Sequence, residues 1–141
     1  MTPSGPPNDG EHRRLACWAL ALNLVWEVAQ SPMNTCPAEA RTWLRAAGGD
    51  AALTVVAAQL AATVARRSPT ARWTLLAAGL GAVALAMERH ALARGRWAYR
   101  PVMPTVGGVG LVPLVQLPLL GLTAARLARR RARRPAPPRC P

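Results

Sequence analysis

Three acidic side chains stand within or at the ends of long apolar stretches, where ionisable groups are uncommon. They are Glu27, Asp50 and Glu88. A charge inside a membrane costs at least ~2.5 kcal/mol near the centre, so such groups usually face a cavity or a partner. A carboxyl group there favours its neutral, proton-donating form, whereas one beside an arginine stays ionised and can act as a base or bind a cation. The pattern points to acid–base chemistry in an apolar setting.

Amide and indole groups accompany the first of these carboxyl groups at helical spacing. Steps of three and four residues place four side chains on one stripe of a helix, namely Asn23, Trp26, Glu27 and Gln30. Gln116 lies between Pro113 and Pro118 in the last apolar stretch. Because a proline frees the carbonyl four residues earlier, such a helix is expected where protein or water can satisfy it. We expect the stripe and this interrupted helix to line one cavity.

The elements that must position these groups are four apolar stretches. They cover residues 15–31, 50–65, 73–92 and 107–125. Each approaches the length of helix that crosses a hydrocarbon core of about 30 Å. We therefore predict an all-α fold, an integral membrane bundle of four transmembrane helices over residues 15–125. A disordered head (1–14) and a basic disordered tail (126–141) flank it.

Composition supports a membrane class. The chain has 141 residues, of which 51% are hydrophobic, and a water-soluble fold of this size has too little interior to bury such runs. All 18 basic residues are arginine and the net charge is +12. Together with the alanine-rich composition, this indicates GC-rich coding sequence and a bacterial source.

The arginines predict the orientation. Twelve of them lie in the head, the loop after the second helix and the tail, and six lie on the opposite side. The positive-inside rule then places both termini in the cytoplasm and the chain in the bacterial inner membrane as a multi-pass protein. Because the charge is clustered between apolar segments, it favours contacts with anionic membrane lipid over nucleic-acid binding.

This topology brings the three carboxyl groups to the outer end of the bundle. The loop after the third helix adds Arg96, Trp97 and Tyr99 at the same level. We predict catalytic carboxyl groups at Glu27, Glu88 and Asp50, and substrate contacts from Asn23, Trp26, Gln30, Arg96, Trp97, Tyr99 and Gln116.

Each of these residues also has a simpler interpretation. Glu27 could only hydrogen-bond a neighbouring helix, Asp50 follows two glycines and could cap a helix, and Glu88 could pair with Arg89 or Arg96. Trp97 and Tyr99 also suit an interfacial aromatic belt.

Several kinds of site lack sequence support. His90 has no cysteine or acidic partner at metal-ligand spacing, and no phosphate-binding loop, serine-hydrolase motif or C-x-x-C is present. We expect neither a metal nor a cofactor. Gly79 and Gly81 are interpreted as positions of close helix packing.

Two resemblances extend this interpretation. Asn23 to Glu27 reads N-L-V-W-E and resembles the N-x-x-W-E segment of the integral membrane terpene cyclases of the paxilline and pyripyropene pathways. That resemblance implies that Glu27 protonates an epoxide or alkene to start cyclisation. The chain is also similar to small uncharacterised bacterial four-span membrane proteins with E, G-R-W-x-Y, M-P, G-x-G and P-x-x-Q motifs, here Glu88, Gly95 to Tyr99, Met103-Pro104, Gly108 to Gly110 and Pro113 to Gln116.

The sequence therefore predicts a membrane enzyme that cyclises or isomerises a hydrophobic, isoprenoid-like or lipid substrate. The alternative is a small proton- or cation-coupled transporter, or an accessory membrane subunit. Since four short helices form a thin wall for a transport path, the transporter would need a homo-oligomer.

Overall fold

A computed structural model describes residues 9–33, 39–96 and 98–132. Its four helices are α1 (Asp9–Gln30), α2 (Ala40–Val64), α3 (Pro69–Ala93) and α4 (Leu111–Ala132). A 3-10 turn (Ser31–Met33) follows α1, and a two-stranded hairpin, β1 (Thr105–Val106) and β2 (Val109–Gly110), precedes α4. The predicted all-α class is confirmed.

The helices close into a bundle. Each helix packs against the next along the chain, and α4 also packs against α1. Much of the core is alanine, including Ala19, Ala124 and Ala128, and these small side chains allow helices to approach closely. The bundle is therefore held by backbone proximity more than by large apolar side chains.

Gly121 of α4 lies against Leu80 of α3. A Cβ atom added at Gly121 would overlap Leu80 Cδ1, and Leu80 is fully buried. The predicted packing role of Gly79 and Gly81 is wrong, because a Cβ at either position would meet nothing within 4 Å. Close packing depends on a glycine of the last helix instead.

Three helices are long and apolar enough to cross a membrane. They are α2, α3 and residues Leu111–Arg130 of α4. Among the described helices α1 is not in this set, because charged residues occupy its first turns and Asn23, Glu27 and Gln30 its last turns. The structure thus indicates a membrane protein with three such helices.

Helix α2 begins well before the predicted start at Asp50. Gly48 and Gly49, assigned above to a loop, lie inside it, and Glu39 occupies its N-cap position. Ala47 and Ala51 are both buried on the packed face of α2. Their burial offsets the cost of about 1 kcal/mol for each glycine in a helix.

The first helix, α1, begins before its predicted start, and the last helix, α4, continues past its predicted end. Helix α1 includes residues 9–14 of the predicted head, and α4 continues to Ala132 in the predicted tail. These turns support each other, since Arg129 Nε lies 3.3 Å from Glu11 Oε1 and Arg14 Nε donates to Ala128 O at 3.3 Å. Residues 1–8 and 133–141 lie outside the described residues.

The hairpin before α4 turns on two glycines. Gly107 and Gly108 have φ values of 59° and 79°, and Val106 pairs with Val109 across them. A two-residue turn with positive φ at both positions matches the twist of the strands and favours glycine. This turn brings Gly110 and the start of α4 back to the bundle.

Candidate functional site

The amide of Gln116 lies at the centre of a polar cluster between helices. Its side chain is buried, and its Nε2 atom is within hydrogen-bonding distance of three oxygens: Asn23 Oδ1 at 3.2 Å, Glu27 Oε1 at 3.0 Å and Asp50 Oδ2 at 3.2 Å. A carboxamide has two N–H hydrogens, so three acceptors share two donors. Helices α1, α2 and α4 therefore meet at one nitrogen atom.

A chain of hydrogen bonds fixes the orientation of this amide. Gln30 Nε2 donates to Gln116 Oε1 at 3.2 Å, and Trp26 Nε1 donates to Gln30 Oε1 at 3.2 Å. Because the oxygen of Gln116 is occupied by Gln30, its nitrogen faces the carboxyl groups. The predicted stripe on α1 thus supplies both a carboxyl group and the residues that orient its donor.

Asn23 and Thr54, which lie beside Glu27 and Asp50, each donate a hydrogen bond to a backbone carbonyl of their own helix. Asn23, which is 0% exposed, donates from Nδ2 to Ala19 O at 2.9 Å, and this leaves its Oδ1 toward Gln116. Thr54, also 0% exposed, donates to Asp50 O at 2.8 Å one turn below. Asp50 therefore lies inside α2, and its interpretation as a helix cap is wrong.

Glu88 extends the polar layer to α3. It is buried, it accepts a hydrogen bond from the Tyr99 hydroxyl, and its charge acts on Asp50 together with that of Glu27. A Cβ at Gly110 would lie 2.8 Å from Tyr99 Cζ, so the hairpin makes room for this ring. The four helices therefore all contribute to one layer, which we call the carboxyl layer (Asn23, Glu27, Gln30, Asp50, Glu88, Tyr99 and Gln116).

Two further residues of the predicted site are not among the residues of the carboxyl layer. Arg96 is exposed in the loop after α3, and Trp97 lies outside the described residues. Pairing of Glu88 with Arg89 or Arg96 stays a prediction. One partner of Glu88 in the structure is the phenol of Tyr99, which can exchange a proton with it.

Glu27 and Asp50 are partly exposed at the edge of the carboxyl layer, and the amide of Gln116 lies within hydrogen-bonding distance of both. The cavity expected between the stripe of α1 and α4 stays a prediction. A cleft also opens elsewhere in the bundle, where Leu15, Trp73 and Arg129 line it near the other helix ends.

The carboxyl layer is suited to moving a proton. Two carboxyl groups from different helices converge on one donor, and carboxyl groups can both donate and accept protons in acid–base chemistry. The amide of Gln116 stabilises whichever carboxylate remains. Within the described ranges, no group of three or more His, Cys, Asp and Glu residues is arranged to hold a metal ion.

Comparison of the chain with protein-family models, with curated proteins and with solved structures found no match.

Some features of the structure were not anticipated from the sequence. The hairpin has a clear signal, a Gly-Gly pair flanked by valines. A basic cluster around Trp73 was also missed: the guanidinium carbons of Arg129 and Arg126 lie 4.9 and 5.7 Å from its ring centroid. The adjacency of Arg72 and Trp73 at the start of α3 was its available signal.

Proposed function

We propose that this chain is an integral membrane enzyme that performs acid–base chemistry on a hydrophobic, isoprenoid-like or lipid substrate. The observation that carries the proposal is the convergence of Glu27 and Asp50 on the single amide nitrogen of Gln116. Polar groups from separate helices are costly to hold in an apolar bundle, and they are commonly functional there.

The proposed topology has all four helices crossing the bacterial inner membrane, with both termini in the cytoplasm. Helix α1 is less apolar than the others, but it packs against both α2 and α4. Its polar residues Asn23 and Gln30 are buried against the bundle, so their cost in the membrane is reduced. The excess of arginine near the other helix ends supports this orientation.

In the proposed reaction Glu27 donates a proton to the substrate and is left ionised. Asp50, ionised at the start, removes a proton from another carbon of the substrate and passes it back to Glu27, so both groups are restored. Gln116 stabilises the carboxylate that remains after the transfer, and Gln30 keeps the amide nitrogen facing it. Cyclisation or isomerisation fits this design, because a proton added at one carbon can be removed from another with no net change in the enzyme. The N-x-x-W-E resemblance supports the same role for Glu27.

A second candidate is a proton- or cation-coupled transporter or an accessory membrane subunit. The pair of carboxyl groups on separate helices, Glu27 and Asp50, favours it, because intramembrane carboxyl groups can take up and release protons or bind a cation. A transport path would require several copies of the chain, since one bundle is thin.

The test uses the full chain in phospholipid vesicles supplied with oxidosqualene, a linear isoprenoid epoxide, and loaded with a pH-sensitive dye. We expect cyclised or rearranged product from the wild type and none from Glu27→Gln or Asp50→Asn. Glu39→Gln is the matched control, because Glu39 is exposed and makes no side-chain cap bond.

Each outcome of this experiment decides between the candidates. Proton flux without product, lost in the same two variants, would replace the enzyme with the transporter. Product formation that survives Glu27→Gln would remove Glu27 from the mechanism. Neither product nor flux from the wild type would contradict both the enzyme and the transporter, and would leave the accessory subunit of the second candidate.

A further inference from the structure

A basic cluster surrounds the cleft at the opposite end of the bundle from the carboxyl layer. Nine residues line this cleft: Glu11, Leu15, Ala58, Arg72, Trp73, Leu76, Ala125, Ala128 and Arg129. Five of them are alanine or leucine, and two are arginine. The cleft therefore combines an apolar wall with fixed positive charge.

The charges in the cleft do not balance. Glu11 is the one acidic residue of its lining, and it pairs with Arg129 at 3.3 Å. Arg72 is buried on α3, where the positive charge of Arg129 and the negative charge of Glu11 both act on it. Arg14 joins the same end by its bond to Ala128 O. The lining thus holds two arginines and one carboxylate, with Arg14 at the same end of the bundle, and an added anion would lower the repulsion between the arginines.

Trp73, the aromatic residue that lines the cleft, indicates that the cleft lies at the level of the lipid headgroups. Trp73 lies in the first turns of α3, with Arg126 and Arg129 over its ring. Tryptophan is enriched where a spanning helix leaves the hydrocarbon core, and arginine there contacts phosphate. The apolar wall continues from this level along Leu15 and Leu76 toward the middle of the bundle.

From this arrangement we propose that the cleft is a binding site for an anionic phospholipid. Arg72 and Arg129 bind its phosphate, and Leu15 and Leu76 contact its acyl chain. A soluble phosphate would satisfy the arginines but would leave the apolar wall without a partner, so the wall favours a lipid. Glu11 competes with the phosphate for Arg129, so lipid binding would release that ion pair.

This site is tested by native mass spectrometry of the full chain in a neutral detergent, with phosphatidylglycerol, phosphatidylcholine and inorganic phosphate as probes. We expect one molecule of phosphatidylglycerol to bind about tenfold more tightly than phosphatidylcholine. Arg129→Gln should lower the affinity for phosphatidylglycerol by about tenfold.

Two variants separate the cleft from general surface charge. Arg130→Gln removes an equal charge from the next, exposed position of α4, and it should change the affinity by less than about twofold. Glu11→Gln removes the competing carboxylate, so it should increase the affinity for phosphatidylglycerol. A gain of binding in this variant cannot result from damage to the fold.

Three results would overturn the proposal. Equal affinity for the two lipids would show that charge is not recognised, and equal losses in Arg129→Gln and Arg130→Gln would show that the cleft is not involved. Displacement of phosphatidylglycerol by an equal concentration of inorganic phosphate would assign the cleft to a soluble anion.

Discussion

Gln116 of α4 donates from Nε2 to Glu27 Oε1 of α1 at 3.0 Å, although the two residues are far apart in the chain. The same nitrogen reaches Asp50 of α2 at 3.2 Å. One amide therefore joins three helices. Its removal should lower both the stability of the bundle and the rate of the proposed reaction.

Replacing Gln116 by leucine should destabilise the bundle by about 1–3 kcal/mol, because the buried oxygen of Asn23 and the partly buried oxygen of Glu27 would lose their donor. The measurement is the free energy of unfolding in detergent micelles. Gln59→Leu is the matched control, because Gln59 is exposed on α2, and it should change stability by less than about 0.5 kcal/mol. Equal losses of unfolding free energy in the two variants would contradict a stabilising role for the hydrogen bonds of Gln116.

Adding a methyl group at Gly121 should cost about 1–3 kcal/mol, because its Cβ would overlap the buried Leu80 side chain. Gly81→Ala, in open space on α3, should instead be neutral or stabilising by up to about 1 kcal/mol. Thermal unfolding of both variants checks this difference. Leu80→Ala in the Gly121→Ala background should recover part of the loss, and no recovery would place the clash elsewhere.

The Tyr99 hydroxyl bond to Glu88 should contribute about 1–2 kcal/mol, and Tyr99→Phe removes it without changing the ring. Gly110→Ala should displace the same ring. The two effects are therefore expected to be non-additive in a double-mutant cycle of unfolding free energies. Strict additivity would mean that Gly110 and Tyr99 act independently.

The hairpin turn should tolerate asparagine better than a branched residue. Gly108→Val forces a β-branched side chain into a positive φ and should cost about 1–2 kcal/mol, while Gly108→Asn should cost clearly less. Hydrogen exchange of the amides around Val109 would detect the difference as earlier local opening in the valine variant. Equal protection in both variants would contradict a positive-φ requirement.

The apolar helices and much of the carboxyl layer could be predicted from the sequence, because both depend on periodicity within single helices. Asn23, Glu27 and Gln30 share a stripe by spacing alone, and the alternating direction of the predicted spans places Asp50 and Gln116 toward the same end. These five groups do meet in the structure, whereas their catalytic role stays a prediction.

What the sequence could not supply are facts that depend on packing between helices. Gly48 and Gly49 suggested an interruption of the helix. Instead α2 continues past both glycines, because the alanines on either side, Ala47 and Ala51, are buried against the bundle. The contact of Gly121 with Leu80, and the hydrogen bond from Gln116 to Asn23, depend on interhelical distances that no pattern within one segment encodes. Arg96 was placed in the site by its position in the chain, and its side chain is exposed instead.

Cysteine crosslinking tests most directly whether Glu27 and Asp50 form one site. In a chain whose native cysteines are replaced by alanine, Glu27→Cys and Asp50→Cys together should be joined by a short thiol-specific crosslinker in membranes, because both side chains reach the Nε2 atom of Gln116. Cysteines at positions 27 and 56 should not, because Val56 is exposed on α2. Efficient crosslinking of the 27–50 pair alone is the predicted result. No crosslinking of that pair, or equal crosslinking of the control pair, would contradict a shared carboxyl site.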